Sequence, residues 1–265
     1  MKKTLQIGNG LAFVSVVFIN YLSNTGVLNG STIGAVSNRY TSLFTPAGYT
    51  FAIWGLIYFM LFGFVVYQAK SLWSKTINPD SFVIKTGWWF ILSCLFNALW
   101  VVAWLYEYTG VSCVLMFLLL FSLLKIVVNN RMELDDQPLA VIAFLWWPFV
   151  VYSGWIAVAS IANVSAYLVK IEWSRFGLSE ISWTVMVICA AVILNILMVW
   201  KRNMREFAVV GAWALVGIGV ANKDQYNTVM YVAFGGAIVL TLIVAIHGYQ
   251  NRKTNPFAKL MDNAL

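Results

Sequence analysis

The chain consists of long apolar runs separated by short polar segments. A helix needs roughly 20 mostly apolar residues to cross the hydrocarbon core of a membrane, and these runs have that length. They lack the strict alternation of short transmembrane strands. The pattern therefore predicts an all-α integral membrane protein, a polytopic bundle of about eight transmembrane helices. Their approximate ranges are 8–28, 47–69, 86–106, 111–128, 139–162, 182–200, 206–221 and 229–249.

The overall composition supports the same fold class. Of the 265 residues, 61% are hydrophobic and only 10% are charged, whereas a soluble globular protein is about half apolar and about a quarter charged. So few charges cannot cover a water-exposed surface. The composition therefore excludes a soluble domain, a disordered chain, a coiled coil and a secreted disulfide scaffold.

The basic residues predict how the chain is oriented in the membrane. With the amino terminus in the cytoplasm, 13 of the 17 Lys and Arg residues fall on the cytoplasmic side and four on the other side. This asymmetry follows the positive-inside rule. The net charge of +7 is therefore interpreted as a topology signal, and no nucleic-acid partner is predicted. We expect an integral protein of the bacterial cytoplasmic membrane with both termini in the cytoplasm.

Catalytic and metal-binding residue types are scarce in the runs. No acidic residue lies deep within a predicted span, which argues against an ion-driven transporter. Cys94, Cys113 and Cys189 lie in apolar runs without CxxC spacing, and His247 is the one histidine. These residues predict neither a disulfide framework nor a metal site nor a bis-histidine haem, and no obligatory cofactor is expected.

Aromatic residues, in contrast, are abundant and share helix faces. The chain has 13 Trp, 12 Tyr and 18 Phe. Trp54 and Tyr58 are four residues apart and therefore lie one turn above another. Asn97, Trp100 and Trp104 have helical spacing that places an amide beside two indoles.

The fifth run repeats this geometry with two tryptophans and an asparagine. One interpretation is that the asparagines join helices and the indoles simply fill the bundle. The other is an aromatic cavity for a flat, apolar ligand with polar substituents. The binding residues that the second interpretation predicts are Trp54, Tyr58, Asn97, Trp100, Trp104, Trp147, Trp155 and Asn163.

Three of these stretches resemble the TspO or translocator protein family, also called tryptophan-rich sensory proteins. Residues 46–58, PAGYTFAIWGLIY, are similar to the start of the family's second helix, Pro-Pro-x-Trp-x-Phe followed by Trp-x-x-x-Tyr. Residues 95–100 are similar to Leu-Asn-x-x-Trp of the third helix. Residues 155–163 are similar to the fifth helix, where Trp and Asn are also eight apart. The resemblance covers about residues 8–170.

The resemblance implies a five-helix bundle with an internal pocket. Residues 1–170 would form this TspO-like bundle, and 171–265 would add a region of three transmembrane helices and a short cytoplasmic tail. The Gly-, Ser-, Thr- and Asn-rich loop 29–45 would close the pocket as a mobile lid. Members of the family bind porphyrins, and some promote light-dependent porphyrin breakdown. For such photochemistry, Trp54 and Trp155 are the candidate catalytic residues by position.

The first functional hypothesis is a TspO-like membrane receptor or sensor that binds a tetrapyrrole, such as a porphyrin or haem-type ligand, or a similar flat hydrophobic molecule. A transporter of such substrates and a light-dependent porphyrin-degrading protein are the alternatives. The expected partners are the lipid bilayer and the small hydrophobic ligand. A homodimer is a further candidate arrangement, because small residues such as Gly235 and Gly236 favour close helix contacts.

Overall fold

The computed structural model describes residues 1–72 and 80–251. These residues form helices joined by turns and contain no strand, which confirms the predicted helical membrane bundle. We number the long helices in chain order. They are α1 (Lys2–Leu22), α2 (Ile53–Ala69), α3 (Trp89–Leu105), α4 (Thr109–Asn129), α5 (Leu139–Lys170), α6 (Glu180–Arg202), α7 (Arg205–Ala221) and α8 (Asn227–Gln250). Two predicted features lie outside the described residues: the cytoplasmic tail after residue 251, and Lys75, one of the basic residues assigned to the cytoplasmic side.

Six of the helices within the described ranges are long and apolar enough to cross a membrane, when α2 is taken with the 3₁₀ turns that flank it, as Gly48–Leu72. Helix α3 is apolar but has only 17 residues, and α7 also has 17, a length of about 25 Å at about 1.5 Å per residue. That length is at the lower limit for a transmembrane helix. The number of eight spans therefore stays a prediction.

Among the helix ends, those of α1 and α5 differ most from the sequence-based ranges. Helix α1 begins at Lys2 and ends at Leu22, six residues before the predicted end, because Gly26, Asn29 and Gly30 adopt positive φ angles that an α-helix does not allow. Helix α5 continues to Lys170, eight residues beyond the predicted end.

A π-helical turn, Ile142–Trp146, interrupts α5 near its start. Pro148 follows it directly, in the first turn of the α-helical part of α5. Proline cannot donate the backbone hydrogen bond of a regular helix, and the wider π-turn precedes the point where that bond is missing.

Helix α5 forms the centre of the bundle. It contacts α2 and α4 on one side and α7 on the other. Its residues from Pro148 to Val158 are all buried. In contrast, large apolar side chains such as Phe59 on α2 and Phe117 on α4 are exposed on the outer surface, as a surface that faces lipid requires.

Glycines allow α7 to approach its neighbours closely. A Cβ at Gly154 of α5 would lie 3.0 Å from the carbonyl oxygen of Phe207 on α7, and a Cβ at Gly217 of α7 would lie 2.1 Å from Thr50 Oγ1. Close approach through small residues is typical of helix packing in membranes. Residues on both sides of position 170 thus share one hydrophobic core, although the division into regions 1–170 and 171–265 stays a prediction.

Candidate functional site

An aromatic cluster occupies the space between α2, α3 and α5. Trp54 is its centre. Its ring lies nearly parallel to Tyr58 and Trp100, with ring centroids 5.6 and 6.5 Å apart, and it meets Tyr152 and Trp155 edge-on at 5.8 and 6.3 Å. These distances fall in the range in which aromatic pairs attract each other. The aromatic residues that share helix faces in the sequence therefore come together in one cluster.

Asn97 connects three helices within this cluster. Its side-chain oxygen accepts a hydrogen bond from Asn20 Nδ2 of α1 at 2.7 Å, and its Nδ2 donates to the Tyr152 hydroxyl of α5 at 2.8 Å. Asn97 is completely buried. A buried amide in an apolar bundle is stable only when it is hydrogen-bonded. Its amide is therefore engaged in joining helices.

Asn163 makes a second interhelical connection. Its Oδ1 accepts a hydrogen bond from Trp100 Nε1 at 2.8 Å, and its Nδ2 lies 2.8 Å from Ser112 Oγ and 3.0 Å from Cys113 Sγ. These bonds join α3, α4 and α5. They also hold the Trp100 indole in one orientation.

Two adjoining cavities flank the aromatic cluster. The inner cavity, of about 570 Å³ including the open space at its mouth, lies between α2, α3, α4 and α5. The outer cavity, of about 1250 Å³ including its open mouth, lies between α1, α2 and the first loop. Both cavities share a set of lining residues, which are Ile33, Ser37, Pro46, Phe51 and Trp54.

The Trp155 indole N–H is the most informative polar group of the inner cavity. Trp155 lines this cavity and is only 2% exposed. Its Nε1 is buried and has no hydrogen-bond partner within ranges 1–72 and 80–251. An unpaired buried donor costs about 1–3 kcal/mol. A ligand with an acceptor at this point would satisfy it.

Most of the sequence-predicted residues come together at the two cavities. Trp54 and Tyr58 line the outer cavity. Asn97 is not among the described lining residues of either cavity and is hydrogen-bonded to Asn20 and Tyr152. The predicted residues that line the inner cavity are Trp54, Trp100, Trp104, Trp155 and Asn163.

Trp147 differs from the other predicted residues. It lies two turns from Trp155 along α5, is absent from the described lining of both cavities, and interacts with Glu206 at the start of α7. Sequence reasoning missed Tyr152 and Asn20, the two partners of Asn97. Tyr152 lies three residues before Trp155 and therefore shares a helix face with it, which was a signal in the sequence that could have found Tyr152.

The first loop covers the cavities with a short helix, Ile33–Arg39. Thr32 caps this helix, because its Oγ1 accepts a hydrogen bond from the Ala35 amide at 3.1 Å. Trp104 Nε1 donates to the Ile33 carbonyl at 3.2 Å, and Asn29 Nδ2 donates to the Leu105 carbonyl at 2.9 Å. The end of α3 thus holds the loop helix over the aromatic cluster.

Glu107, just after α3, fastens the other end of the loop helix. Its carboxylate forms an ion pair with Arg39 and accepts a hydrogen bond from the Tyr40 hydroxyl. Its backbone carbonyl accepts a hydrogen bond from Lys170 Nζ. The bond to Glu107 raises the pKa of Tyr40 above its usual value, with smaller contributions from burial and from the negative charge of Glu107. We call these four residues the Glu107 latch.

The Glu107→Gln substitution is expected to loosen the loop helix without unfolding the bundle. It removes the ion pair with Arg39, and exposed pairs of this kind contribute at most about 1 kcal/mol. Amide hydrogen exchange over residues 32–40 should therefore become about fivefold faster, which corresponds to about 1 kcal/mol. Glu172→Gln removes an exposed carboxylate near the same end of the bundle and should leave the exchange unchanged. Equal exchange in both variants would disprove the latch.

The long helices, the apolar outer surface and the internal aromatic cavity define a polytopic helical membrane protein. A family model described as TSPO-like protein matches residues 6–246, and the chain belongs to this family. The match begins in α1 and ends in α8. It therefore takes in α6, α7 and α8, beyond the range of about 8–170 that carries the sequence resemblance. No curated protein and no solved structure gives a significant match to the chain.

Proposed function

We propose that the chain is a membrane receptor or sensor that binds a tetrapyrrole, or a similarly flat hydrophobic molecule, in the inner cavity. The unpaired Trp155 N–H is the observation that carries this proposal. A ligand that offers a hydrogen-bond acceptor, surrounded by aromatic surface, would satisfy this donor.

The arrangement of the indoles favours a flat ligand. Trp54, Trp100 and Trp104 form a nearly parallel series, with successive interplanar angles of 26° and 21°. Phe51 meets Trp155 edge-on at 5.8 Å. Flat π-systems bind to such faces by stacking and edge contacts.

The first loop supplies polar groups where the two cavities meet. Ser37 lines both cavities and Asn38 lines the outer one. A flat ligand would place its ring system in the inner cavity and its polar substituents toward these side chains. The Glu107 latch would then hold the loop helix over the bound molecule.

The proposal is tested by titrating the purified full chain with protoporphyrin in the dark and following tryptophan fluorescence. Saturable quenching is expected. Trp155→Phe keeps an aromatic ring but removes the N–H, so the affinity should fall about fivefold, since a neutral hydrogen bond contributes about 0.5–1.5 kcal/mol.

Trp147→Phe is the matched control for this titration. It removes one tryptophan from the same helix, outside the described lining of both cavities, and should leave the affinity unchanged. Non-saturable quenching, or an equal affinity in the two variants, would contradict binding in the inner cavity. Illumination of the same samples tests the photochemical alternative, for which the sign would be bleaching of bound porphyrin that Trp155→Phe abolishes.

We also propose that the loop end of the bundle faces away from the cytoplasm. The support is the distribution of Lys and Arg, of which 13 lie on the side of the amino terminus. Labelling of single cysteines introduced at Ser37 and at Lys201, by a reagent that does not cross the membrane, would test this orientation in intact cells. Ser37→Cys should react and Lys201→Cys should not.

A further inference from the structure

A third cavity lies at the end of the bundle opposite to the first loop. It measures about 760 Å³ including the open space at its mouth, and it is formed by the turn between α4 and α5, the start of α7 and the end of α8. Asn203, in the left-handed conformation that ends α6, donates from Nδ2 to the Glu133 carbonyl at 3.0 Å. This bond joins the turn to the α6–α7 connection. We call this space the polar cavity.

Three buried polar atoms of residues that line the polar cavity are unsatisfied. His247 Nδ1, Arg205 Nε and Glu133 Oε1 have no hydrogen-bond partner in the part of the chain that the structure describes. His247 is only 4% exposed. Each such atom costs free energy unless something binds it. Three of them at one cavity, contributed by three separate segments, indicate a ligand.

The neighbours of His247 define which atom carries its proton. Asn251 Nδ2 donates to the His247 carbonyl at 2.9 Å, and this bond fixes the orientation of the Asn251 side-chain amide. The same Nδ2 lies 3.3 Å from His247 Nε2. Nε2 therefore accepts a hydrogen bond. In the neutral ring the proton must then be on Nδ1, so the unsatisfied atom is a donor, as is Arg205 Nε.

Arg205, the first residue of α7, adds a positive charge. The helix begins at Arg205, and its N-cap residue, Met204, provides no side-chain hydrogen bond. The first backbone N–H groups of the helix already have acceptors, because the Arg205 amide donates to the Asn203 carbonyl at 2.9 Å and the Glu206 amide donates to its own carboxyl group. The Arg205 side chain lies beside Gly248 of α8, so the guanidinium bridges the two helices at the cavity.

Two of the three acidic residues at the cavity have other partners. Asp135 forms an ion pair with Arg131 at 3.2 Å, and Asp136 has an interaction of its own. Burial raises the pKa of Glu133 to about 8, and the negative charge of Glu206 adds to this effect, while Arg205 opposes it. At neutral pH, Glu133 is therefore mostly protonated and can donate through its carboxyl group.

We propose that the polar cavity binds a phosphate group, held by Arg205, His247 and Glu133. Donors that come from several directions suit an anion whose oxygens all accept hydrogen bonds. The phosphate belongs either to a small soluble molecule or to a lipid headgroup. This site is separate from the aromatic cavities, so the proposal does not depend on the proposed function.

The first test measures thermal unfolding of the full chain in nanodiscs of phosphatidylcholine, with inorganic phosphate titrated against chloride at equal ionic strength. Phosphate should raise the unfolding midpoint in a saturable manner, because a ligand that binds the native state stabilises it. Arg205→Gln should weaken the effect at least about tenfold, since it removes a charged donor. Lys201→Gln, which removes an exposed positive charge near the same end, should leave it unchanged.

The pH dependence provides a second, independent test. As the pH rises through about 8, Glu133 ionises and repels the phosphate, so the affinity of the native chain should fall. Glu133→Gln remains a neutral donor and should lack this loss. Phosphate itself ionises in this range, but it does so equally for both proteins. The ratio of the dissociation constant of the native chain to that of Glu133→Gln, compared between pH 7 and pH 9, therefore reports only the ionisation of Glu133. The other titratable or charged groups that face Glu133 are Glu206, Arg205, His247, Asp135 and Asp136.

A third measurement distinguishes the source of the phosphate. Nanodiscs that contain phosphatidic acid present a phosphate headgroup at the bilayer surface. If the headgroup occupies the site, the midpoint will rise without added phosphate, and Arg205→Gln will remove this rise. If only phosphatidylcholine discs with soluble phosphate show stabilisation, the ligand is soluble. Absence of a saturable effect in both discs, or equal effects of Arg205→Gln and Lys201→Gln, would overturn the proposal.

Discussion

Asn97→Ala is expected to lower the free energy of unfolding by about 2–3 kcal/mol. Asn97 accepts from Asn20 and donates to Tyr152, so its loss affects two buried partners. Asn20 keeps its bond to the Val16 carbonyl at 2.9 Å, but the Tyr152 hydroxyl loses the donor that now contacts it. A single interhelical pair in a membrane contributes only about 0.6 kcal/mol. The expected effect is larger because a buried polar group is left unpaired.

Unfolding of the purified chain in mixed micelles with increasing sodium dodecyl sulfate, followed by circular dichroism, measures this change. Tyr152→Phe should cost about 1 kcal/mol, since it removes only one of the two connections. Ser93→Ala is the control, because the buried Ser93 hydroxyl bonds within its own helix to the Phe90 carbonyl. Equal effects of Asn97→Ala and Ser93→Ala would mean that the interhelical connection contributes nothing.

The fold class was predictable because the lipid bilayer that surrounds the chain permits few structures. A chain with 61% hydrophobic residues must place its helices in lipid, and each helix satisfies its own backbone, so composition and run length are enough. Helix ends are less predictable. The end of α1 depends on positive φ angles at Gly26 and Gly30, which hydropathy does not detect.

The candidate site was predictable only as far as single helices define it. Spacing along a helix places Trp54 beside Tyr58, and it places Trp100 beside Trp104. It does not define which helix a face meets. Tyr152 was missed for this reason, since its role depends on Asn97 of another helix. Spacing also places Trp147 on one face of α5 with Trp155, although the π-turn and the approach of α7 give it different surroundings.

The role of α6, α7 and α8 could not be predicted, because the sequence pattern gives no contact between distant helices. In the structure, α7 holds the segment that leads into α2. The Ala47 amide donates to the Gly217 carbonyl at 3.0 Å, Trp213 Nε1 donates to the Thr50 carbonyl at 3.1 Å, and Asn222 Nδ2 donates to the Leu43 carbonyl at 2.9 Å. That segment lines the inner cavity through Pro46 and Phe51.

Gly217→Ala should therefore both destabilise the bundle and weaken ligand binding. The added Cβ would lie 2.1 Å from Thr50 Oγ1 and 3.0 Å from Thr50 Cγ2, and Thr50 is completely buried. Overpacking of this kind costs about 1–3 kcal/mol, which exceeds the gain of about 1 kcal/mol from replacing glycine in a helix. The two segments must separate, which also strains the bond from the Ala47 amide.

Gly235→Ala is the matched control for this substitution. Gly235 lies in α8, and a Cβ there would meet no described atom within 4 Å, so this variant should be neutral or slightly stabilised. Unfolding in mixed micelles gives the stability, and protoporphyrin titration gives the affinity. Thr50→Ala removes the atoms that the new methyl group would meet most closely, so the double variant Gly217→Ala with Thr50→Ala should regain part of both losses. If the double variant equals the sum of the single variants, α7 does not act on the cavity through Thr50.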